Sequence, residues 1–309
     1  MSFIRHPGLE PGSRNWLKAA MTGVAVVLSL LVIPPHAACA ASHIELRDNF
    51  EAASLDLSRW SLKRMKQKRH WIDANVYRNG KGALAIRVQG NDLDLACRCQ
   101  QNEVREAADR RLKFGEDAWY AFSFMISGKA APAGKQRWVI GGWKQETNGS
   151  AFMAQRYDHG VFHITLESGD TRVLLASARQ DAKGFLDLLK SGSQEGFGFV
   201  GDTKRYQGAS DLKIEYGADP VLPDPGGDWV DMMYRVRGGL AGDGLVEVYA
   251  NGKLVVRATG TVGVRQVGGP TQYFKMGHNR APMPGAATLY MDNFRRGATR
   301  DAVEFRAVQ

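Results

Sequence analysis

The eight residues from Tyr273 to Arg280, YFKMGHNR, bring together Tyr, Lys, His, Asn and Arg side chains. The stretch begins with the alternation of a β-strand, which puts Tyr273 and Lys275 on one face and Phe274 and Met276 on the other. Tyr, Lys and His can act as general acids or bases, and Asn and Arg can bind anions. The crowding of these groups at one strand end predicts a functional surface.

Three further strand patterns bring polar side chains to faces that should be exposed. Gln101, Glu103 and Arg105 share one face of QNEVR, and Lys144 ends RWVIGGWK. The remaining polar residues of this kind are Gln155 and Tyr157 in FMAQRYD, and His163 on the following strand. Each cluster alone is typical of a solvated strand face. A lone His, such as His163, is typical of a residue that pairs with a side chain on the neighbouring strand. Four clusters on separate strands favour a shared site.

The chain lacks the motifs of several common reactions. It has no HExxH, no His/Cys set with zinc spacing, no GxSxG and no P-loop pattern. Glu103 and Glu167 have no evident partner carboxylate, which a retaining glycosidase would need. Metal-dependent proteolysis and serine hydrolysis therefore have no support, and a glycoside hydrolase is the least favoured enzyme.

The strands that carry these residues belong to a long series of period-2 patterns. The others are GALAIRV (82–88), AWYAFSFMI (118–126), WVDMMYRVR (229–237) and ATLYMDNF (287–294). GLVEVYANGKLVVRA (244–258) places Asn251-Gly252 between two alternating runs, which predicts a type I′ hairpin. The predicted fold class is all-β: a jelly-roll, concanavalin-like β-sandwich of two antiparallel sheets with a concave groove. An immunoglobulin-type sandwich fits the length less well.

Residues 41–309 are predicted to form a single domain with an irregular insertion around 181–227. The pattern DAKGFLDLLK (181–190) predicts a short helix, and a Gly-rich region follows it. Two interpretations of the insertion remain open, a cover beside a cleft and an ordinary surface excursion.

Residues 1–40 have the order of a secretory signal peptide: basic residues, the apolar run MTGVAVVLSLLVI, and then small residues up to Ala40. The apolar run is shorter than the roughly 20 residues of a membrane span. A secreted or periplasmic protein is therefore expected. The segment carries a net +2 of the chain's +9, which leaves the remainder at about +7. Such a charge favours an acidic partner.

Cys97 and Cys99 remain after cleavage near Ala40, since Cys39 lies in the predicted signal peptide. In an oxidising compartment the two can form a local disulfide, and the chain offers no further Cys for a metal site.

The chain resembles the jelly-roll polysaccharide lyases, in particular the heparin lyase I-like group and its alginate lyase relatives. QNEVRE (101–106) is similar to the Arg-x-Glu-Leu-Arg strand of alginate lyases, and RWVIGGWKQE (137–146) to the strand that ends in Gln-x-His or Trp-His. YFKMGHNR (273–280) is similar to Tyr-Phe-Lys-x-Gly-x-Tyr. RDNFEAASLDLSRW (47–60) and LYMDNFRRG (289–297) resemble the first and last strands of such sandwiches. The resemblance spans most of the chain after residue 40.

This resemblance implies an exported polysaccharide lyase that cleaves an acidic, uronic acid-containing polysaccharide by β-elimination. In such a reaction a base removes the C5 proton, an acid protonates the leaving oxygen, and donors neutralise the carboxylate. The implied catalytic residues are Lys144, His163, His278 and Tyr273. The implied substrate-binding residues are Glu103, Arg105, Gln155, Tyr157, Lys275, Asn279 and Arg280.

Three positions depart from the family pattern. Gln101 replaces the first Arg, Lys144 replaces the His after Trp, and Asn279 replaces the Tyr four places after the Lys. A one-residue deletion would bring His278 to the Tyr position, but strand parity puts it on the apolar face unless the strand bulges at Gly277. A Lys among cations can have a lowered pKa and act as the base.

These departures leave open a non-catalytic acidic-polysaccharide-binding protein of the same fold. The basic run KRMKQKRH (63–70) could bind a nucleic acid, but this interpretation is weaker than binding of an acidic polysaccharide. We expect no nucleic acid partner. The expected protein is a monomer with no membrane contact after signal cleavage, and it requires no cofactor. The resemblance leaves room for a structural calcium ion, but scattered acids such as Asp224, Asp228 and Asp231 do not define a metal site.

Overall fold

Alternating apolar residues build two antiparallel β-sheets. The structure, a computed structural model, describes residues 43–95, 97–127, 137–146, 150–191, 204–264 and 269–305. They belong to one compact unit, residues 36–309. The predicted signal peptide, residues 1–40, lies outside the described residues.

The strands in chain order are β1 (Leu46–Asp48), β2 (Trp60–Arg64), β3 (His70–Asp73), β4 (Ala83–Val88), β5 (Leu93–Asp94), β6 (Cys99–Glu106), β7 (Leu112–Lys113), β8 (Ala118–Ser127), β9 (Trp138–Gln145), β10 (Met153–Arg156), β11 (His163–Ser168), β12 (Thr171–Ser177), β13 (Lys213–Tyr216), β14 (Val230–Arg237), β15 (Gly239–Ala250), β16 (Lys253–Val262), β17 (Thr271–Arg280) and β18 (Ala287–Gly297). The helices are α1 (Ala182–Ser191) and α2 (Arg300–Val303), and short 3₁₀ turns span Ala108–Arg110, Asp158–Gly160 and Lys204–Gln207.

Two nine-stranded sheets contain all of these strands. The first sheet has the order β13-β16-β15-β14-β8-β18-β4-β3, with β1 beside β18. The second, here named the groove sheet, has the order β12-β11-β10-β9-β17-β6-β2, with β5 beside β6 and β7 beside β17. The pairs between named strands are antiparallel. The predicted jelly-roll β-sandwich is confirmed.

Aromatic side chains fill the space between the two sheets. The ring of Phe274 lies 5.0 Å from that of Phe122, and the ring of Trp143 lies 4.6 Å from that of Tyr234. Each pair joins one strand of the groove sheet to one of the first sheet. Burial of such a side chain stabilises the fold by roughly 1.5–3 kcal/mol relative to exposure. This packing fixes which residues of β9 and β17 point the other way, towards solvent.

The predicted hairpin forms between β15 and β16. Asn251 and Gly252 both have positive φ, 47° and 80°, as a type I′ turn requires. Short polar residues and glycine tolerate this conformation, so the two residues determine the register of the hairpin.

Helix α1 and β13 lie in the segment predicted as an insertion. Asp181 accepts a hydrogen bond from the Gly184 amide (2.8 Å), as an N-terminal cap does. Phe185 and Leu189 on the apolar side of α1 are buried. The ring of Phe185 lies 5.0 Å from that of His163 on β11, so the helix covers one end of the groove sheet. Strand β13 extends the edge of the first sheet beside β16.

Cys97 and Cys99 form a disulfide at the start of β6. No helix in the described part of the chain is long and apolar enough to span a bilayer.

Candidate active site

A groove of about 730 Å³ crosses the face of the groove sheet that points away from the first sheet. Among the described residues, ten Lys and Arg but only three Asp and Glu line it. Seven of the cations come from strands across the sheet, from Arg64 on β2 to Arg172 on β12, and the other three, Arg111, Arg137 and Arg205, lie between strands. A cavity with this balance attracts a polyanion.

The centre of the groove lies where β17 runs between β6 and β9. Tyr273 is directly opposite Lys144 on β9, and Lys275 is opposite Arg105 on β6. Strand alternation places Asn279 on the same face, and all five side chains line the groove. The structure thus brings together residues that lie far apart in the sequence.

Lys144 has the most perturbed side chain of the groove centre. Burial, followed by the positive charges of Lys275, Arg105 and Arg64, lowers its pKa to about 8, while Glu103 opposes the shift. A substantial fraction of Lys144 is therefore neutral near pH 8. A neutral amine surrounded by cations can accept a proton from a bound substrate.

Glu103 organises the cations around Lys144. It accepts hydrogen bonds from Lys275 Nζ and from Gln101 Nε2. Arg105 differs, because its Nε and one terminal nitrogen are buried without a hydrogen-bond partner in the described structure. The Arg105 side chain lines the groove, where a guanidinium can pair with a ligand carboxylate.

Tyr273 and Asn279 are held by arginines of the groove. The Arg111 guanidinium lies 4.5 Å above the Tyr273 ring and forms an ion pair with Glu146. Arg137 donates a hydrogen bond to Asn279 Oδ1 (2.8 Å). Both side chains therefore present defined polar groups to the cavity.

The family follows from sequence comparison. A family model described as polysaccharide lyase matches residues 52–295. The chain belongs to the polysaccharide lyase family.

Solved structures with a similar chain path include lyases. The structure of an endo-β-1,4-glucuronan lyase from the fungus Trichoderma reesei has 13% identity and a TM-score of 0.51, over 79% of this chain and 92% of that chain. The cellulose-induced protein Cip1 has 13% identity and a TM-score of 0.47, over 82% and 97%. Alginate lyase A1-II′, a member of polysaccharide lyase family 7, has 12% identity and a TM-score of 0.45, over 79% and 96%. No curated protein matches the chain.

Both candidate histidines of this polysaccharide lyase lie outside the groove. His278 is fully buried between the sheets, where its Nδ1 accepts a hydrogen bond from Trp138 Nε1 (3.1 Å) and its Nε2 donates one to Ile86 O (3.0 Å). Burial lowers its pKa to about 3. His163 lies on the expected face of β11, but Phe185 of α1 covers it, and burial lowers its pKa to about 4. The expectation that they line the groove is therefore wrong.

Strand parity explains the position of His278. Gly277 has a φ of +136°, and the register of β17 against β9 shifts between Met276 and Asn279. The register against β6 continues unchanged, so Asn279 stays on the face of Lys275 and His278 on the apolar face. A bulge is present in the pairing of β17 with β9, but not in its pairing with β6. It therefore does not turn His278 towards the groove.

Gln155, Tyr157 and Arg280 also differ from the prediction, because all three point away from the groove. Gln155 Nε2 donates to Tyr234 Oη (2.7 Å) between the sheets, and Tyr157 Oη donates to Asp224 (3.0 Å). Arg280 is buried and donates to Gln100 Oε1 (2.7 Å) and Gly285 O (2.8 Å). They stabilise the sandwich and do not line the cavity.

Seven lining cations were not predicted from the sequence: Lys63, Arg64, Arg111, Arg137, Arg156, Arg172 and Arg205. Lys63 and Arg64 belong to the basic run that begins at the end of β2, which was the one available signal. An Arg at any of the other positions is indistinguishable from a solvated surface residue in the sequence.

No group of three or more His, Cys, Asp or Glu in the described ranges could hold a metal ion. Asp224 accepts from Tyr157 and the Gly226 amide, whereas Asp231 pairs with Arg78 and accepts from Ser123.

Proposed function

We propose that this lyase is exported and cleaves an acidic, uronic acid-containing polysaccharide by β-elimination. The observation that carries the proposal is Lys144, an amine with a pKa of about 8 that faces Tyr273 within a cationic groove. The glucuronan that the Trichoderma reesei enzyme cleaves is itself a polymer of uronic acid, which supports the substrate class.

The first requirement of the reaction is to stabilise the carbanion that forms when C5 of the uronate loses its proton. A carboxylate must be neutralised before its neighbouring C–H becomes acidic enough. Arg105 is suited to this role, because it lines the groove opposite Lys275 and a guanidinium can pair with a carboxylate through two parallel hydrogen bonds. Lys275 and Asn279 on the adjacent strand add further donors.

The proton transfers are assigned to Lys144 and Tyr273. Neutral Lys144 takes the C5 proton, the electron pair forms the C4=C5 double bond, and the C4–O bond breaks. The Tyr273 hydroxyl gives its proton to the departing oxygen. Lys144 can then return a proton to Tyr273, because the two residues lie opposite each other on neighbouring strands. No step uses a metal or cofactor.

An ultraviolet absorbance assay for the new double bond tests the proposal. The full chain without residues 1–40 would be incubated with alginate, polyglucuronate, polygalacturonate, heparin, heparan and chondroitin-type chains, and xanthan-type polymers. An absorbance increase with one of them is expected and names the substrate. Reducing ends without absorbance would show hydrolysis instead, and binding without cleavage across the panel would contradict the assigned proton transfers.

A further inference from the structure

A second cavity of about 430 Å³, here named the outer cavity, lies beside the groove at the end of β2. Its walls are residues 63–66, at and after the end of β2, and residues 93–95, which include β5. Lys63, Arg64 and Gln101 line both the outer cavity and the groove, so the two cavities are adjacent. A chain lying along the groove can enter the outer cavity.

The walls of the outer cavity combine cations with exposed leucines. Lys63, Arg64 and Lys66 contribute three positive charges against one acid, Asp94. Leu93 and Leu95 also line it. Leu95 is 81% exposed, which leaves an apolar surface in water beside a polar groove. A single exposed leucine is common on protein surfaces. Two leucines beside three cations in one cavity form a surface that is both apolar and positively charged.

The two walls are joined to each other and to the groove sheet. The Lys66 amide donates to Asn102 Oδ1 (2.9 Å), and Lys66 Nζ donates to Leu93 O (3.2 Å). The Cys97–Cys99 disulfide follows the second wall and lines the groove where that wall joins β6. These contacts restrain the walls before any ligand binds, which lowers the entropy cost of binding.

We propose that the outer cavity binds additional sugar units of the same acidic polysaccharide, beyond the reaction centre. The inference rests on the proposed function. Carboxylates of the added units pair with Lys63 and Arg64, and the apolar C–H face of a pyranose ring packs on Leu95. A uronate polymer offers both surfaces on every unit, whereas a nucleic acid or an inorganic anion offers no C–H face of this kind. The outer cavity therefore selects long chains over short oligosaccharides.

The test compares oligosaccharide lengths in wild type and in two charge variants. Wild type, Leu95→Glu and Lys63→Glu would be assayed with tetra- and octasaccharides of glucuronate, mannuronate and guluronate. Both kcat/KM and Kd would be measured, the latter by calorimetry. Leu57→Glu is the matched control, because Leu57 is also exposed (62%) and lines neither cavity. Thermal unfolding would confirm that all variants fold.

Wild type is expected to prefer the octasaccharide in kcat/KM. Leu95→Glu and Lys63→Glu should lower the octasaccharide-to-tetrasaccharide ratio by roughly two- to fivefold, as loss of one exposed ion pair or apolar contact implies. Leu57→Glu should leave the ratio unchanged. Equal ratios in all four proteins would overturn the inference while leaving β-elimination intact. If no product absorbs, the proposed function fails, and the Kd ratios still decide the outer cavity. A protein that binds neither length of any polyuronate would overturn both.

Discussion

At the scale of single residues, the pKa of Lys144 determines the pH at which the proposed reaction works. Its pKa lies at about 8, and only the deprotonated amine accepts a proton. Activity should therefore rise with pH through about 8 and then level off. Lys144→Gln should lower kcat by roughly 10²–10⁴-fold. Lys144→Arg should be as inactive, because its guanidinium stays charged.

A pH profile of kcat with the identified substrate measures this effect. Lys253→Arg is the control, because Lys253 is exposed at the β15–β16 turn, away from the groove. Retention of wild-type kcat by Lys144→Arg would show that another group is the base.

His278 provides the complementary test at this scale. His278→Ala removes the partner of Trp138 Nε1 and Ile86 O and leaves a space in the packed interior. We expect a loss of about 2–4 kcal/mol in the free energy of unfolding, with kcat of the folded protein nearly unchanged. Denaturant titration and active-site-normalised kcat would distinguish the two effects. A large fall in kcat at unchanged stability would restore His278 as a catalytic candidate.

At the scale of elements, a buried ion pair connects the strands that position the site. Glu106 of β6 and Arg296 of β18 are fully buried and 2.9 Å apart. The second Glu106 oxygen accepts from the Phe274 amide (3.0 Å), between Tyr273 and Lys275 on β17. Arg296→Met leaves Glu106 without its cation and should cost about 3–5 kcal/mol.

The double variant Glu106→Gln/Arg296→Met should recover much of that stability, because no charge remains buried. Urea unfolding of the two single variants and the double variant would measure the coupling between them. If the losses in the free energy of unfolding of the two single variants add up to that of the double variant, the interaction between Glu106 and Arg296 contributes nothing to stability.

Strand parity is the level at which the sequence predicted the site best. Tyr273, Lys275, Arg105 and Lys144 line the groove because each belongs to a regular alternating run with an apolar opposite face. Prediction failed where another element intervened. His163 has the expected face, but nothing in VFHITLE indicates that Phe185, more than twenty residues later, packs on it.

At the scale of the whole molecule, the two-sheet architecture follows from period-2 patterning, whereas side-chain direction at strand ends does not. Gln155 and Tyr157 share one face of their segment, as the alternation predicts, but that face points towards the interior. Tyr234 and Asp224 accept their hydrogen bonds there. A buried polar residue with a distant partner has the same sequence pattern as an exposed one.

The buried histidines together predict that the lyase loses stability in acid. The pKa of His163 is about 4 and that of His278 about 3 in the folded protein, against 6.5 in the unfolded chain. Below pH 6.5 the unfolded chain binds protons that the folded protein cannot, so the free energy of unfolding falls as the pH drops towards 4. Each histidine contributes a slope of up to about 1.4 kcal/mol per pH unit.

Chemical denaturation from pH 7 to pH 4.5 would measure the slope, and His278→Gln should remove about half of the histidine contribution. The pKa of Glu106 is raised by burial, which opposes the trend by stabilising the protonated folded state, so the Glu106→Gln/Arg296→Met variant should show a steeper decline. A stability that stays constant down to pH 5 both in wild type and in the Glu106→Gln/Arg296→Met variant would mean that the histidines take up protons in the folded state.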